Sequence, residues 1–310
     1  MNNEKSNIKH LLVVILGLAM IPAGCGDDTS EPVIVSGSGF QLTSDGGAEP
    51  SWSPDGEFLV YTNKQDLWTV GPTASATPTR LTSLEGVESS PAWQPGGGNK
   101  IAFIHEAHGS GSYSIQTVQP GSDPETMLAM EQALADLDFS PDGTRLAFRY
   151  LNGSPGIYLI DLAAETKVPL AVENHSGWGD IVSPLFSPVS DLFYYIELTD
   201  NADNIFTIPT TGGEPTRITA FDQATEKLEG LSVSPHERSL AFTLGPGPSS
   251  KGSVLPISAF ALYTLRLDSG LTPTRHSLDE AGDALTPVWS PDGTRLAVGL
   301  KGDIWIIEPN

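Results

Sequence analysis

The chain has 310 residues, with 38 acidic against 16 basic side chains and a formal net charge of −22. A surface this acidic repels phosphate backbones, which argues against nucleic-acid binding; beyond its effect on solubility it favours cations, basic peptides or the cationic patch of a partner. Charged residues make up only 17% while glycine (32) and proline (25) are abundant, the composition of an all-β chain of short strands and tight turns; the 39% hydrophobic content spread along the sequence argues against disorder.

The N-terminus carries Lys5 and Lys9, an apolar run over residues 11–21, and then Pro22-Ala23-Gly24-Cys25. The apolar run fits a signal-peptide core and is short for a membrane span. Small residues directly before the single cysteine resemble the lipobox of bacterial lipoproteins, with Pro22 where that pattern usually has Leu. The resemblance implies cleavage after residue 24 and acylation of Cys25; an ordinary secretory signal with an incidental thiol is the other reading, and both export the chain. One cysteine allows no intramolecular disulfide. The polar stretch after it reads as a tether, which places a signal peptide at 1–24, a lipid-anchored tether at 25–38 and the folded body at 39–310. Gly26 rather than an acidic residue follows the cysteine, which leans toward the outer membrane.

The body is repetitive. Ser51-Trp52-Ser53-Pro54-Asp55-Gly56 recurs around Pro95, Pro141, Pro188, Pro235 and Pro291, at intervals of 41, 46, 47, 47 and 56 residues, the length of a propeller blade. Proline presets the second turn position, aspartate suits the third, and glycine accepts the left-handed conformation that follows. An apolar second strand comes after each turn, as in Phe58-Leu59-Val60-Tyr61 and Leu146-Ala147-Phe148, suited to burial between neighbouring blades. A third strand follows, as in Leu67-Trp68-Thr69-Val70 and Ile304-Trp305-Ile306-Ile307, and a fourth is marked by Thr79-Arg80-Leu81-Thr82 and Thr216-Arg217-Ile218-Thr219. The sixth unit has no fourth strand before Asn310, whereas Phe40-Gln41-Leu42-Thr43 matches the fourth-strand pattern. The expected fold is therefore a six-bladed β-propeller of four-stranded blades, its ring closed by an N-terminal strand so that no sheet edge stays open.

These repeats resemble the TolB propeller, a relative of WD-repeat proteins, over essentially the whole of residues 39–310. The resemblance implies a fold more than a function, because propellers host many roles. TolB carries a separate domain before its propeller, for which the residues ahead of Gly39 leave no room.

The search for chemistry gives little. No Gly-x-Ser-x-Gly elbow is present, against a serine hydrolase. His105 and His108 lack the i,i+4 spacing of a helical metal-binding histidine pair, and no glycine-rich phosphate loop precedes a helix. Two features remain besides the solitary His175 and Trp178. The loops leading into the six innermost strands carry Glu49, Glu88, Asp136, Asp180, Glu229 and Asp283. A ring of such acids at the channel mouth suits a hard cation such as calcium or a basic peptide; ordinary acidic loops are the plain alternative. The second is the long blade-five loop from residue 245 to 259, rich in Gly, Pro and Ser, a place for recognition or a tolerated insertion. The aromatic or apolar residues before the turns (Trp52, Trp93, Phe139, Phe186, Val233 and Trp289), with Trp68 and Trp305, are expected in the core. The expected function is that of a monomeric, cofactor-free cell-envelope lipoprotein that binds a protein or peptide without catalysis. A metal-dependent lactonase or lyase with its site at the acidic mouth is the alternative, and a purely structural surface protein a third.

Overall fold

The computed structural model describes residues 33–36, 38–96, 98–152, 156–164, 170–173, 180–200, 202–221, 226–246, 260–269, 271–277 and 284–309. Cys25, His175, Trp178 and Asp283 lie outside them, as do residues 247–259 of the long blade-five loop. The described residues form an all-β propeller ring of six blades, each built on four antiparallel strands, and contain no helix. The innermost strands are Ala48–Trp52, Gly86–Trp93, Leu134–Phe139, Asp180–Phe186, Glu226–Val233 and Ala284–Trp289. Each second strand is the buried centre of its blade. Tyr61, Phe103, Phe148, Tyr195 and Phe242 are at most 1% exposed, and burying each such side chain stabilises the ring by about 1.5–3 kcal/mol. The continuous apolar runs of these strands follow from this, since both faces pack against a neighbouring blade.

The Ser-Pro-Asp-Gly turns are held by their own side chains. In the three intact copies, the hydroxyls of Ser53, Ser140 and Ser290 donate to Asp55, Asp142 and Asp292 at 2.5–2.6 Å. Each aspartate also accepts the N–H two residues on, from Glu57, Thr144 and Thr294. The serine oxygen accepts the N–H of Phe58, Arg145 or Arg295, where the chain turns back. The serine hydroxyl first, then the backbone N–H, hold these three carboxyls below their ordinary range, Asp142 at about 2. A depressed carboxyl stabilises the fold above the unfolded value near 4 and loses that contribution as the pH falls toward 2.

The turns also interlock around the ring. Gly143 has φ of +68°, and a Cβ there would run into the carbonyl oxygen of Pro95 in the preceding blade. Gly56 and Gly293, with φ of +73° and +70°, have only Pro291 and Pro235 at 3.7 and 3.5 Å. Gly56→Ala and Gly293→Ala are therefore expected to cost about 1–2 kcal/mol of left-handed strain alone. Gly143→Ala adds a backbone collision and should cost clearly more. Equal denaturation midpoints for the three variants would refute this account of the blade contact.

Ring closure follows the sequence expectation. Ser38–Gln41 pairs antiparallel with Asp303–Glu308, with Gly39 opposite Ile307 and Gln41 opposite Trp305. Thr43 shows why the Arg-Leu-Thr pattern recurs. Its hydroxyl accepts the N–H of Ile304 at 2.8 Å, just as Thr82 accepts Leu67 and Thr219 accepts Ile205, each at 2.9 Å. One strand was not anticipated. Val33–Ser36, within the stretch read as a tether, pairs in parallel with Pro273–Ser277 as a fifth strand on blade five. The β-branched run Val33-Ile34-Val35 is its sequence signal.

Candidate binding site in the central channel

Each innermost strand carries a β-bulge five residues before its repeat proline. The bulged residues are Glu49, Ser90, Asp136, Ser183, Gly230 and Thr286, all with φ between +46° and +63°. Left-handed backbone is uncommon for residues other than glycine and persists only where the surroundings enforce it. A bulge re-aims its side chain and leaves an unpaired residue behind, which explains why Pro50, Pro91, Pro184 and Pro287 follow four of the six. A residue without an N–H loses nothing by standing in a gap of the ladder.

The bulges are stitched from blade to blade. Ser90 N–H donates to Glu49 Oε2 at 3.0 Å, Asp136 N–H to Ser90 Oγ at 3.2 Å, and Ser183 N–H to Asp136 Oδ2 at 3.0 Å. Two of the six acids in the expected ring, Glu49 and Asp136, thus sit at equivalent positions beside the channel and interact. Burial raises the Glu49 carboxyl above its ordinary value, and the charge of Asp136 adds to the rise. Arg149 Nε, at 2.6 Å from Asp136 Oδ2, compensates one of the two charges.

The other acids stand elsewhere. Glu88 is 2% exposed and its Oε2 accepts the N–H of Leu67 at 2.9 Å and the hydroxyl of Thr82. It clasps blade one to blade two, and burial raises its carboxyl. Asp180 is exposed at the start of its strand, opposite Leu198. Glu229 is exposed beside the Gly230 bulge. Among the described residues, no group of three or more His, Cys, Asp and Glu side chains is placed to hold a metal ion.

The residues before the turns do more than fill the core. Trp52, Trp93, Phe139 and Phe186 are buried as expected, whereas Trp68, Val233, Trp289 and Trp305 are half-buried. Phe139, Phe186, Val233 and Trp289 wall a cavity of about 280 Å³ at the turn end of the channel, rimmed by the repeat prolines Pro95, Pro141 and Pro188. Leu185, Leu231 and Val288 complete its apolar wall, and its polar lining consists of Asp138 and Ser232. Asp138 Oδ2 accepts the N–H of Phe186 at 2.7 Å, and Ser232 Oγ that of Trp289 at 3.0 Å, one level below the bulges. Burial raises the Asp138 carboxyl to about 7, opposed only by the N–H groups of Phe186 and Phe139. Sequence reasoning passed over Asp138. Its signal was there: the equivalent residues of the other units are Ser51, Ala92, Leu185, Ser232 and Val288, so it is the only acid at this position.

No protein-family model and no curated protein matches the chain. Its fold does match solved structures. A protein of Agrobacterium tumefaciens assigned as TolB aligns with a TM-score of 0.65 and 17% identity, over 86% of this chain and 91% of the other. TolB of Acinetobacter baumannii aligns with a TM-score of 0.57 and 17% identity, over 87% of this chain and 65% of the other. An oligogalacturonate lyase in complex with manganese aligns with a TM-score of 0.56 and 15% identity, over 86% of this chain and 78% of that one. At such identities the likeness is one of fold.

Proposed function

We propose that the chain is a cell-envelope lipoprotein, acylated at Cys25 and held at the outer membrane, whose propeller binds a protein or peptide without catalysing a reaction. The observation that carries this reading is the turn-end cavity, a preformed apolar recess on a rigid ring with few polar groups, which is the form of a recognition site. The TolB-type neighbours support it. The acids Glu49 and Asp136, with Asp180, Glu229 and Asp283 around the loop face, serve in this reading to attract a basic partner.

Two experiments test it. A photo-crosslinking residue at Val189, which is 63% exposed and adjoins Pro188 of the cavity rim, is expected to give a discrete protein adduct in cells; no adduct there or at Leu285, 38% exposed beside the Thr286 bulge, would sink the binding reading. Cys25→Ser is expected to move the chain from the membrane to the soluble envelope fraction. The metal-dependent lyase reading is favoured by the manganese-bound neighbour and by the coupled pair Glu49 and Asp136. Calorimetric titration with calcium and then manganese separates the two: tight binding abolished by Glu49→Ala would establish a cation site at the channel and displace the non-catalytic reading.

A further inference from the structure

We propose that the turn-end cavity binds an alkylammonium group, with the Asp138 carboxylate as its counter-ion and the aromatic and aliphatic walls packing its methylenes. This rests on the reading of the propeller as a binding module and specifies what that module takes.

At the junction of blades five and six the N–H of Trp289 is satisfied by the hydroxyl of Ser232, and at that of blades three and four the N–H of Phe186 is satisfied by Asp138. At the junction of blades five and six a neutral serine therefore suffices. Asp138 brings a second oxygen and a charge into an apolar recess, a costly arrangement unless a cation arrives. Among the described residues no cation pairs with it, and no other ionisable side chain lines the cavity. The walls are suited to a cation with an apolar body: Phe186 already carries the Arg145 guanidinium at 5.4 Å from its ring centre, and Trp289 offers the most favourable aromatic surface for such contact.

Size and geometry narrow the class. A volume of about 280 Å³ lies at the lower edge of ligand sites and admits one side chain or a small amine, not a cofactor. Because Oδ2 is engaged by Phe186, a guanidinium fork does not find two free oxygens, whereas an ammonium needs only one. The net charge of −22 concentrates cations around the molecule.

The test titrates the full chain at pH 8 with n-butylamine, with the peptide acetyl-Ala-Ala-Lys-Ala-Ala-amide, and with n-butanol, followed by tryptophan fluorescence and calorimetry. At least one amine is expected to bind saturably, and n-butanol at least tenfold more weakly. Asp138→Ser and Asp138→Asn, checked by thermal melts, should weaken the amine at least tenfold. Moving to pH 6 should weaken it about tenfold in the wild type as Asp138 takes up a proton, and leave the variants unchanged. Tighter binding of the peptide assigns the site to a partner's lysine, and tighter binding of n-butylamine to a free amine. No saturable amine signal, an alcohol that binds equally well, or amine binding unchanged in both variants would overturn the proposal. Where the peptide is the tighter ligand, a cross-link from Val189 that persists undiminished in Asp138→Ser would do so too, while leaving the binding module itself standing.

Discussion

Deletion of residues 33–43 is expected to lower the melting temperature by about 10–20 °C, far more than removal of residues 33–36 alone. The longer deletion takes away the fourth strand of blade six and with it the closure of the ring. Leu42, 6% exposed and packed with Trp52, Tyr61 and Ile304, is lost from the interface of the first and last blades. Asp303 loses Gln41 and Thr43 together, and Ile304 loses the hydroxyl that accepts its N–H. Apolar burial and these bonds together amount to about 5 kcal/mol, and the exposed edge of the Asp303–Glu308 strand invites aggregation. Removal of residues 33–36 takes only an added edge strand from blade five. Differential scanning calorimetry of the two deletions decides the matter. Equal and small shifts would mean that closure contributes little.

Asp138→Asn is expected to stabilise the protein by about 2–4 kcal/mol at pH 8 and by much less at pH 5. The amide keeps an acceptor for the N–H of Phe186 and removes the charge. Asp138 is raised from 3.8 to about 7, so between those values the folded chain holds a proton that the unfolded chain has released. Its favourable contribution is complete below pH 4 and is lost as the pH rises through 7. Above that the wild type buries a bare carboxylate, tempered by the part of it that faces the cavity. Urea midpoints of both proteins at pH 5 and pH 8 are the measurement. An asparagine variant less stable than the wild type at pH 8 would show that the carboxylate is already compensated within the ring.

Much of the fold was legible because the blade repeats its local chemistry. The turn needs Ser, Pro, Asp and Gly in that order, and residues 53–56, 140–143 and 290–293 show why: hydroxyl, carboxylate and left-handed glycine each close one part of the same loop. The closing strand was legible for the same reason, since Thr43 does for Ile304 what Thr82 does for Leu67. A side chain that bonds within its own turn or to an adjacent strand leaves its mark in a short stretch of sequence.

The candidate site was read less completely, because its contacts run between blades about 47 residues apart, as from Asp136 to Ser183 or Asp138 to Phe186. Counting acids near the start of each unit grouped Glu49 with Glu88. Two residues of register separate a bulge beside the channel from a clasp between blades, because the bulge breaks the regular alternation and re-aims its side chain. The sequence by itself determined the number of blades, the turn chemistry and the closing strand, all of which rest on interactions within one unit or on the missing partner of the last. Only the tertiary structure decided which acids line the channel and that Asp138 stands in an apolar recess, because the desolvation and pairing of a carboxylate are set by the neighbouring blades that surround it.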